Sequence, residues 1–169
     1  MARSGPQRDW AILKASLDVL TQEDRPVSEN LDRLFDISLA RRLATITDTL
    51  VPQLGDRVVA GPFAGMVYPL ETAEGCIIPK LLGCYEKELQ PALTQFSSGH
   101  PDAVLNIGCA EGYYAVGLAR ALPAVKVYAW DIAPDAREKT ARNAAANGVG
   151  DRITIAADFD PAALGDYTG

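Results

Sequence analysis

Val104-Leu105-Asn106-Ile107-Gly108-Cys109-Ala110-Glu111-Gly112-Tyr113-Tyr114 is the stretch that decides the fold. A short apolar run passes directly into a glycine-bearing turn that opens a helix, the device by which α/β proteins bring a ligand against bare backbone and a helix N-terminus. Gly108 lets the chain bend at the strand's carboxyl end, and Gly112, lacking a Cβ, lets a ligand or the next element come close. Val125, Val127 and Ala129 then alternate toward Trp130 and Asp131, placing an acidic residue after a second strand, 19 residues beyond Gly112. That is where a carboxylate meets ribose hydroxyls, so the pattern points to a nucleotide-like cofactor.

Outward from this stretch the chain reads as a regular βαβαβ series. Strand Ala103–Ile107 leads into helix Glu111–Leu122, followed by strand Val125–Trp130, a helix opened by Pro134 and closed by Gly148, and strand Ile153–Ala156. Alternation of this kind specifies parallel strands joined by right-handed crossovers.

Glycine spacing separates the cofactor classes that use this layout. A nicotinamide or flavin fingerprint needs small residues at its first, third and sixth positions, here Gly108, Ala110 and Tyr113, and Tyr113 is too large for close helix–strand packing. The pattern instead reads G-x-A-x-G. In this the chain resembles the class I S-adenosylmethionine-dependent methyltransferases, whose first motif is commonly (V/L)-(L/V)-D-(I/V)-G-x-G-x-G. The run NIGCAEGYYAVGLA, preceded by Leu82-Gly83-Cys84-Tyr85-Glu86-Lys87-Glu88-Leu89, looks most like the FkbM-type branch. The resemblance covers Leu82 to Asp158, with two departures: Asn106 stands where the family usually has an acidic residue, and Ala110 replaces the middle glycine.

The resemblance implies a Rossmann-like parallel sheet of order 3-2-1-4-5-7-6, of which this chain carries the first three strands, with an N-terminal helical and β-hairpin extension. It implies S-adenosyl-L-methionine as cofactor, with Asn106, Gly108, Ala110 and Gly112 on the motif that meets its methionine and ribose portion. Asp131 would hold the ribose hydroxyls, Ile132 would pack on the adenine, and Asp158 with Phe159 would sit at the adenine edge. An FkbM-like enzyme implies a hydroxyl of a small molecule or sugar as acceptor, and no residue here is nominated as its base. The alternatives are a non-catalytic or truncated Rossmann-like nucleotide-binding domain and an NAD-binding oxidoreductase.

Each residue also has a plainer reading. Gly108 serves turn geometry in many α/β proteins, Asp131 can end a strand, and Asp158-Phe159-Asp160-Pro161 is ordinary turn chemistry. Cys109 reads as a small apolar filler, although the adjacent helix N-terminus favours a lowered thiol pKa. His100, the only histidine, reads as a solvated loop residue at the wrong end of its strand for a base. Tyr85 and Glu86 are read as core packing and a solvated face rather than as cofactor contacts, and Arg137, Lys139 and Arg142 as the wet face of a helix.

Toward the N-terminus, Trp10, Leu13, Leu17 and Leu20 recur at helical spacing, as do Leu31, Leu34, Phe35, Leu39, Leu43, Ile46 and Leu50. The expected break is Asp24-Arg25-Pro26, with Ser28 capping the second helix and Pro52 and Gly55 ending it. Arg57-Val58-Val59-Ala60 and Gly65-Met66-Val67-Tyr68 predict a β-hairpin or small sheet, broken at Gly61-Pro62 and Gly75. The domain reading is therefore 1–52 helical, 53–98 a hairpin and helix leading into the core, and 99–169 the N-terminal half of a Rossmann-like methyltransferase domain.

With 16 Lys and Arg against 22 Asp and Glu the net charge is −6, which argues against a general nucleic-acid binder. No apolar run reaches the roughly 20 residues of a membrane span, and the start lacks the apolar stretch of a secretory signal, so the expectation is a cytoplasmic protein without a membrane partner. Cys76, Cys84 and Cys109 form no C-x-x-C pair, so reduced thiols and no metal are expected. The partner expected is a small-molecule acceptor. Homodimerisation is left open, through an exposed edge of strand Ala103–Ile107 or through the N-terminal helices.

Overall fold

The computed structural model describes residues 6–22, 26–70, 72 and 77–167. Asp24 and Arg25 of the expected helix break, together with Gly75 and Cys76, lie outside the described residues. Two compact units are distinguished, Met1–Gln53 and Leu54–Gly169.

The first unit holds α1, Pro6–Gln22, and all but the last residue of α2, Val27–Leu54. In α1 the apolar spacing leaves Leu13 and Leu17 half-buried and Leu20 buried. In α2 no residue is fully buried; Leu34 and Ile37 are half-buried, whereas Leu31, Phe35, Leu39, Leu43 and Ile46 form an exposed stripe on one face. The helix begins two residues earlier than a Ser28 cap requires. Asn30 N donates to Pro26 O (3.2 Å), so Ser28 lies within the first turn. Pro52 stands in the last turn and Gly55 follows at φ 73°, ending the helix as expected. Among the described residues no helix is long and apolar enough to cross a membrane.

The second unit is α/β. After α3, Ile77–Leu82, and α4, Gln90–Ser98, comes the series β1 (Ala103–Ile107), α5 (Tyr113–Ala121), β2 (Lys126–Trp130), α6 (Pro134–Ala146) and β3 (Ile153–Ala156). The three strands form one sheet of order β1-β2-β3, parallel throughout, with Val104 opposite Val127 and Val127 opposite Ile153. This is a Rossmann-like arrangement, as the alternation of elements predicts. Because the order advances one strand at a time, right-handed crossovers put α5 and α6 on the same face, where they touch each other and the sheet. Val104, Val127, Ala129 and Ile153 are buried, as period-2 alternation toward those helices requires. On the other face Tyr128 and Trp130 stack at 6.2 Å, with Tyr167 edge-on to both.

The expected hairpin is present in short form, around the antiparallel bridge of Arg57 with Val67. Backbone bonds join its two pieces, Val58 N to Met66 O (2.9 Å), Gly65 N to Val58 O (2.8 Å) and Tyr68 N to Asp56 O (2.6 Å), and other partners flank them: Val59 N donates to Leu81 O (2.7 Å), and the Asn147 side chain accepts from Val67 N (2.9 Å) and donates to Val67 O (2.7 Å). Asn147 thus stands in for a neighbouring strand. This segment packs Val58, Phe63, Met66 and Tyr68 into the core, and none of its hydrogen bonds goes to β1. Among the described strands β1 is therefore an edge, with Ile107 59% exposed.

Candidate functional site

The chain leaves β1 through three alternating left-handed residues, Gly108 (φ 73°), Ala110 (φ 49°) and Gly112 (φ 83°). Gly108 N and Cys109 N both donate to Trp130 O at 2.8 Å, which pins the turn to the end of β2. Ala110 N donates to Asp131 Oδ2 (2.8 Å), and Asp131 Oδ1 accepts from Ala133 N (2.9 Å). From α6, Thr140 Oγ1 donates to Ala110 O (2.9 Å) and Asn143 Nδ2 to Glu111 O (3.3 Å).

The two glycines serve different ends. A Cβ on Gly112 would lie 2.8 Å from Thr140 Cγ2 and 3.2 Å from Thr140 Cα, so the glycine there lets α6 approach. A Cβ on Gly108 would meet nothing within 4 Å, so its bare backbone borders open space. Helix α5 then starts with Gly112 as N-cap and no side-chain capping bond, a helix N-terminus of the kind that attracts polar ligands.

That open space is a cleft of 530 Å³ at the carboxyl ends of the strands, where open α/β sheets bind ligands. Of the residues singled out in the sequence, Gly108, Asp131, Ile132, Asp158 and Phe159 line it. Ala110 and Gly112 lie in the turn behind, Ala110 joined to the cleft through its amide bond to Asp131. Asn106 does not line the cleft; its Oδ1 is buried without a hydrogen-bond partner, an exception to the rule that buried polar atoms are paired. Ile107, Trp130 and Ala157 line the cleft as well, and the apolar strand ends that carry them were their only sequence signal. Trp130 stands edge-on to Phe159 at 4.9 Å. Ile132 is 82% exposed at the rim, apolar surface suited to a flat apolar ligand group.

Asp131 also supports structure, since both carboxylate oxygens accept backbone N–H groups. Arg137 departs from the wet-face reading: its Nη1 donates to Asp131 O (2.7 Å) and Ile132 O (3.0 Å), fastening the cleft edge to α6. Lys139 donates to Thr72 O (3.0 Å), while Arg142 pairs with Glu138 (3.8 Å) on the surface.

Beneath the turn lies a polar group the sequence reading missed. Glu111 is 1% exposed and Lys80 3%, and the two form a buried ion pair. Tyr68 OH donates to the same Glu111 Oε1 at 2.7 Å, and burial first, then this bond, pushes the Tyr68 hydroxyl well above the ordinary tyrosine range. Lys80 Nζ lies 4.7 Å from the Tyr85 ring centroid, and Tyr113 OH donates to Lys80 O (3.3 Å). Burial pushes Tyr113 up to about 12. Tyr85 packs edge-on against Tyr113 at 5.7 Å, and Glu86, at φ 44°, accepts from the Tyr114 hydroxyl instead of facing solvent; neither lines the cleft.

Cys109 is buried with its sulfur 3.5 Å from Thr140 Oγ1, and burial pushes its thiol up despite the helix terminus beside it. In a Cys76→Ser, Cys84→Ser chain the remaining thiol should therefore react with a disulfide reagent at neutral pH only as fast as the protein opens. Reaction within the mixing time would show an activated cysteine. His100 is exposed, at φ 50°, at the amino end of β1, away from the cleft. Among the described residues no three His, Cys, Asp or Glu side chains gather as a metal site.

No protein-family model matches the chain. Over 79 residues, 46% of this chain, it is 35% identical to a release factor glutamine methyltransferase of Chlorobaculum tepidum, a stretch that is 27% of that protein's length. This partial similarity to a methyltransferase supports a class I S-adenosylmethionine-dependent methyltransferase, and gives no support to the FkbM-type branch in particular.

Proposed function

We propose that the Leu54–Gly169 unit binds S-adenosylmethionine in this cleft and forms the cofactor half of a methyltransferase. The observation that carries the proposal is the convergence of Gly108 backbone, the Asp131 carboxylate and the apolar rim of Ile132 and Phe159 at the carboxyl ends of parallel strands. The residues fit the group. Each Asp131 oxygen accepts one backbone N–H and keeps lone-pair capacity for a ribose hydroxyl. Ile132, Phe159 and Trp130 offer apolar faces for adenine, and Gly108 places no side chain in the way.

Bound there, S-adenosylmethionine supplies a sulfonium methyl for in-line displacement, and the protein's task is to hold donor and acceptor aligned. The FkbM-like motif favours a hydroxyl of a small molecule or sugar as acceptor. Cys84 and Cys109, both free thiols, suit a reducing compartment such as the cytoplasm. The second reading, a nucleotide-binding domain without turnover, draws on Asn106 in the place of the family's acidic residue.

Thermal melts with S-adenosylhomocysteine and with NAD test the proposal, because a ligand raises the melting temperature through preferential binding to the folded state. S-adenosylhomocysteine should give the larger shift; an equal or larger shift with NAD overturns the cofactor assignment. Asp131→Ala should weaken S-adenosylhomocysteine binding by about 1.5–3 kcal/mol, roughly ten- to more than a hundredfold in Kd, read by calorimetry well below the melting temperature. It should also lower stability by about 1–3 kcal/mol, since Ala110 N and Ala133 N lose their acceptor. An unchanged Kd with lowered stability would make Asp131 a structural residue only.

A further inference from the structure

We propose that Glu111, through its buried pair with Lys80 and its bond from Tyr68, is the positioning residue that sets the glycine turn for its ligand; this rests on the cofactor reading above. The turn needs such support. Three left-handed residues alternate in it and one of them, Ala110, carries a Cβ, a conformation that persists only where its surroundings over-determine it. Trp130 O, Asp131, Thr140 and Asn143 hold the turn's backbone from within the βαβ unit. The Glu111 side chain ties it instead to the segment before β1, through residues 31 and 43 positions away.

The direction of that tie matters. The Ala110–Glu111 peptide carries Ala110 O, held by Thr140, and the peptide before it carries the Ala110 N–H that Asp131 Oδ2 accepts, so a displacement of Glu111 that turns Ala110 would withdraw that N–H and release the carboxylate proposed to hold ribose. Anchoring Glu111 from below thus orients Asp131 above, from Lys80 and Tyr68 through residue Ala110 to the cleft. A buried ion pair is a poor way to gain stability, because desolvation offsets the attraction and apolar side chains of similar volume often do as well. A carboxylate and an ammonium this deeply buried directly under a strained binding turn are better explained by conformational definition than by stability.

The test compares the parent with a Lys80→Met, Glu111→Met double variant and with Tyr68→Phe, all well below their melting midpoints. The double variant removes both charges together, so no unpaired charge is left buried and the chain is expected to fold. It should bind S-adenosylhomocysteine roughly tenfold or more weakly, and Tyr68→Phe about threefold or more weakly. Unchanged Kd values in both folded variants overturn the proposal, since a merely structural role moves the melting temperature and not the affinity of the folded protein. Should the double variant fail to fold, Tyr68→Phe decides by the same measure.

A parent that binds no S-adenosylhomocysteine defeats the cofactor reading, and amide hydrogen exchange then decides the positioning role. The amides of Gly108, Cys109 and Gly112 should exchange about tenfold or more faster in the variants, while Val127 and Ala129 in β2 keep their protection. Equal protection of the turn in parent and variants overturns the role.

Discussion

Gly83→Ala is expected to remove about 3 kcal/mol or more of folding stability. Gly83 has φ 74°, and a Cβ there would lie 1.8 Å from Ala60 O and 2.4 Å from Ala60 C. The atoms it meets are backbone, which cannot swing aside as a long side chain would. The left-handed conformation alone disfavours alanine by roughly 1–2 kcal/mol, and overlap with the Ala60 carbonyl adds the rest. Gly83 is also tied at both ends, its N–H to Lys80 O (3.1 Å) and its O to Gln90 Nε2 (2.7 Å), so it cannot move away as a unit. Urea unfolding reads the effect as a lowered midpoint at constant slope. Gly150→Ala is the control: φ there is not left-handed and a Cβ meets nothing within 4 Å, so stability should be unchanged or slightly raised. If the two variants unfold alike, the approach of Ala60 to Gly83 is wrong.

Lys80→Met should cost about 3–5 kcal/mol, the consequence of leaving the Glu111 carboxylate buried without its cation. The Tyr68 hydroxyl remains as a donor to Glu111 Oε1, but one neutral hydrogen bond does not replace a charge. Lowering the pH should restore part of the loss, because a neutral carboxyl needs no cation. Denaturant unfolding at two pH values measures both effects. A loss under about 1 kcal/mol at neutral pH, of the size expected for an exposed pair, would mean that Glu111 reaches water in solution.

The central βαβαβ series was legible because its signals are local. Apolar runs of four or five residues bounded by glycine and proline located the three strands, Ala103–Ile107 and Ile153–Ala156 with the same ends and the middle one within a residue. Pro134 opens α6 and Gly148, at φ 66°, follows its end, each acting over a single turn. Ser28 misled because a capping residue type does not decide where a helix begins. The chain enters α2 already at Val27, with Pro26 O accepting the first amide bond. The hairpin was legible but is shorter than expected: 56–68 keeps one antiparallel bridge and three backbone bonds between its two pieces, while Val59 turns to Leu81 of α3 and Val67 to the Asn147 side chain just after α6.

For the candidate site, the sequence by itself determined the kind of turn, its glycines and the acidic residue after the second strand, since these depend on backbone conformation within a few residues. Only the tertiary structure decided what each one touches. It separated Gly108, beside open cleft, from Gly112, closed against Thr140, though the two look alike in a motif. It placed Asp131 on two backbone amides, turned Glu86 onto Tyr114, and drew Lys80 and Tyr68 beneath Glu111 across 31 and 43 residues of chain. Contacts of that separation leave no periodicity or spacing to read. They follow from where the crossover helices and the segment before β1 settle on the sheet, and burial then compels whatever polar groups meet there to satisfy one another.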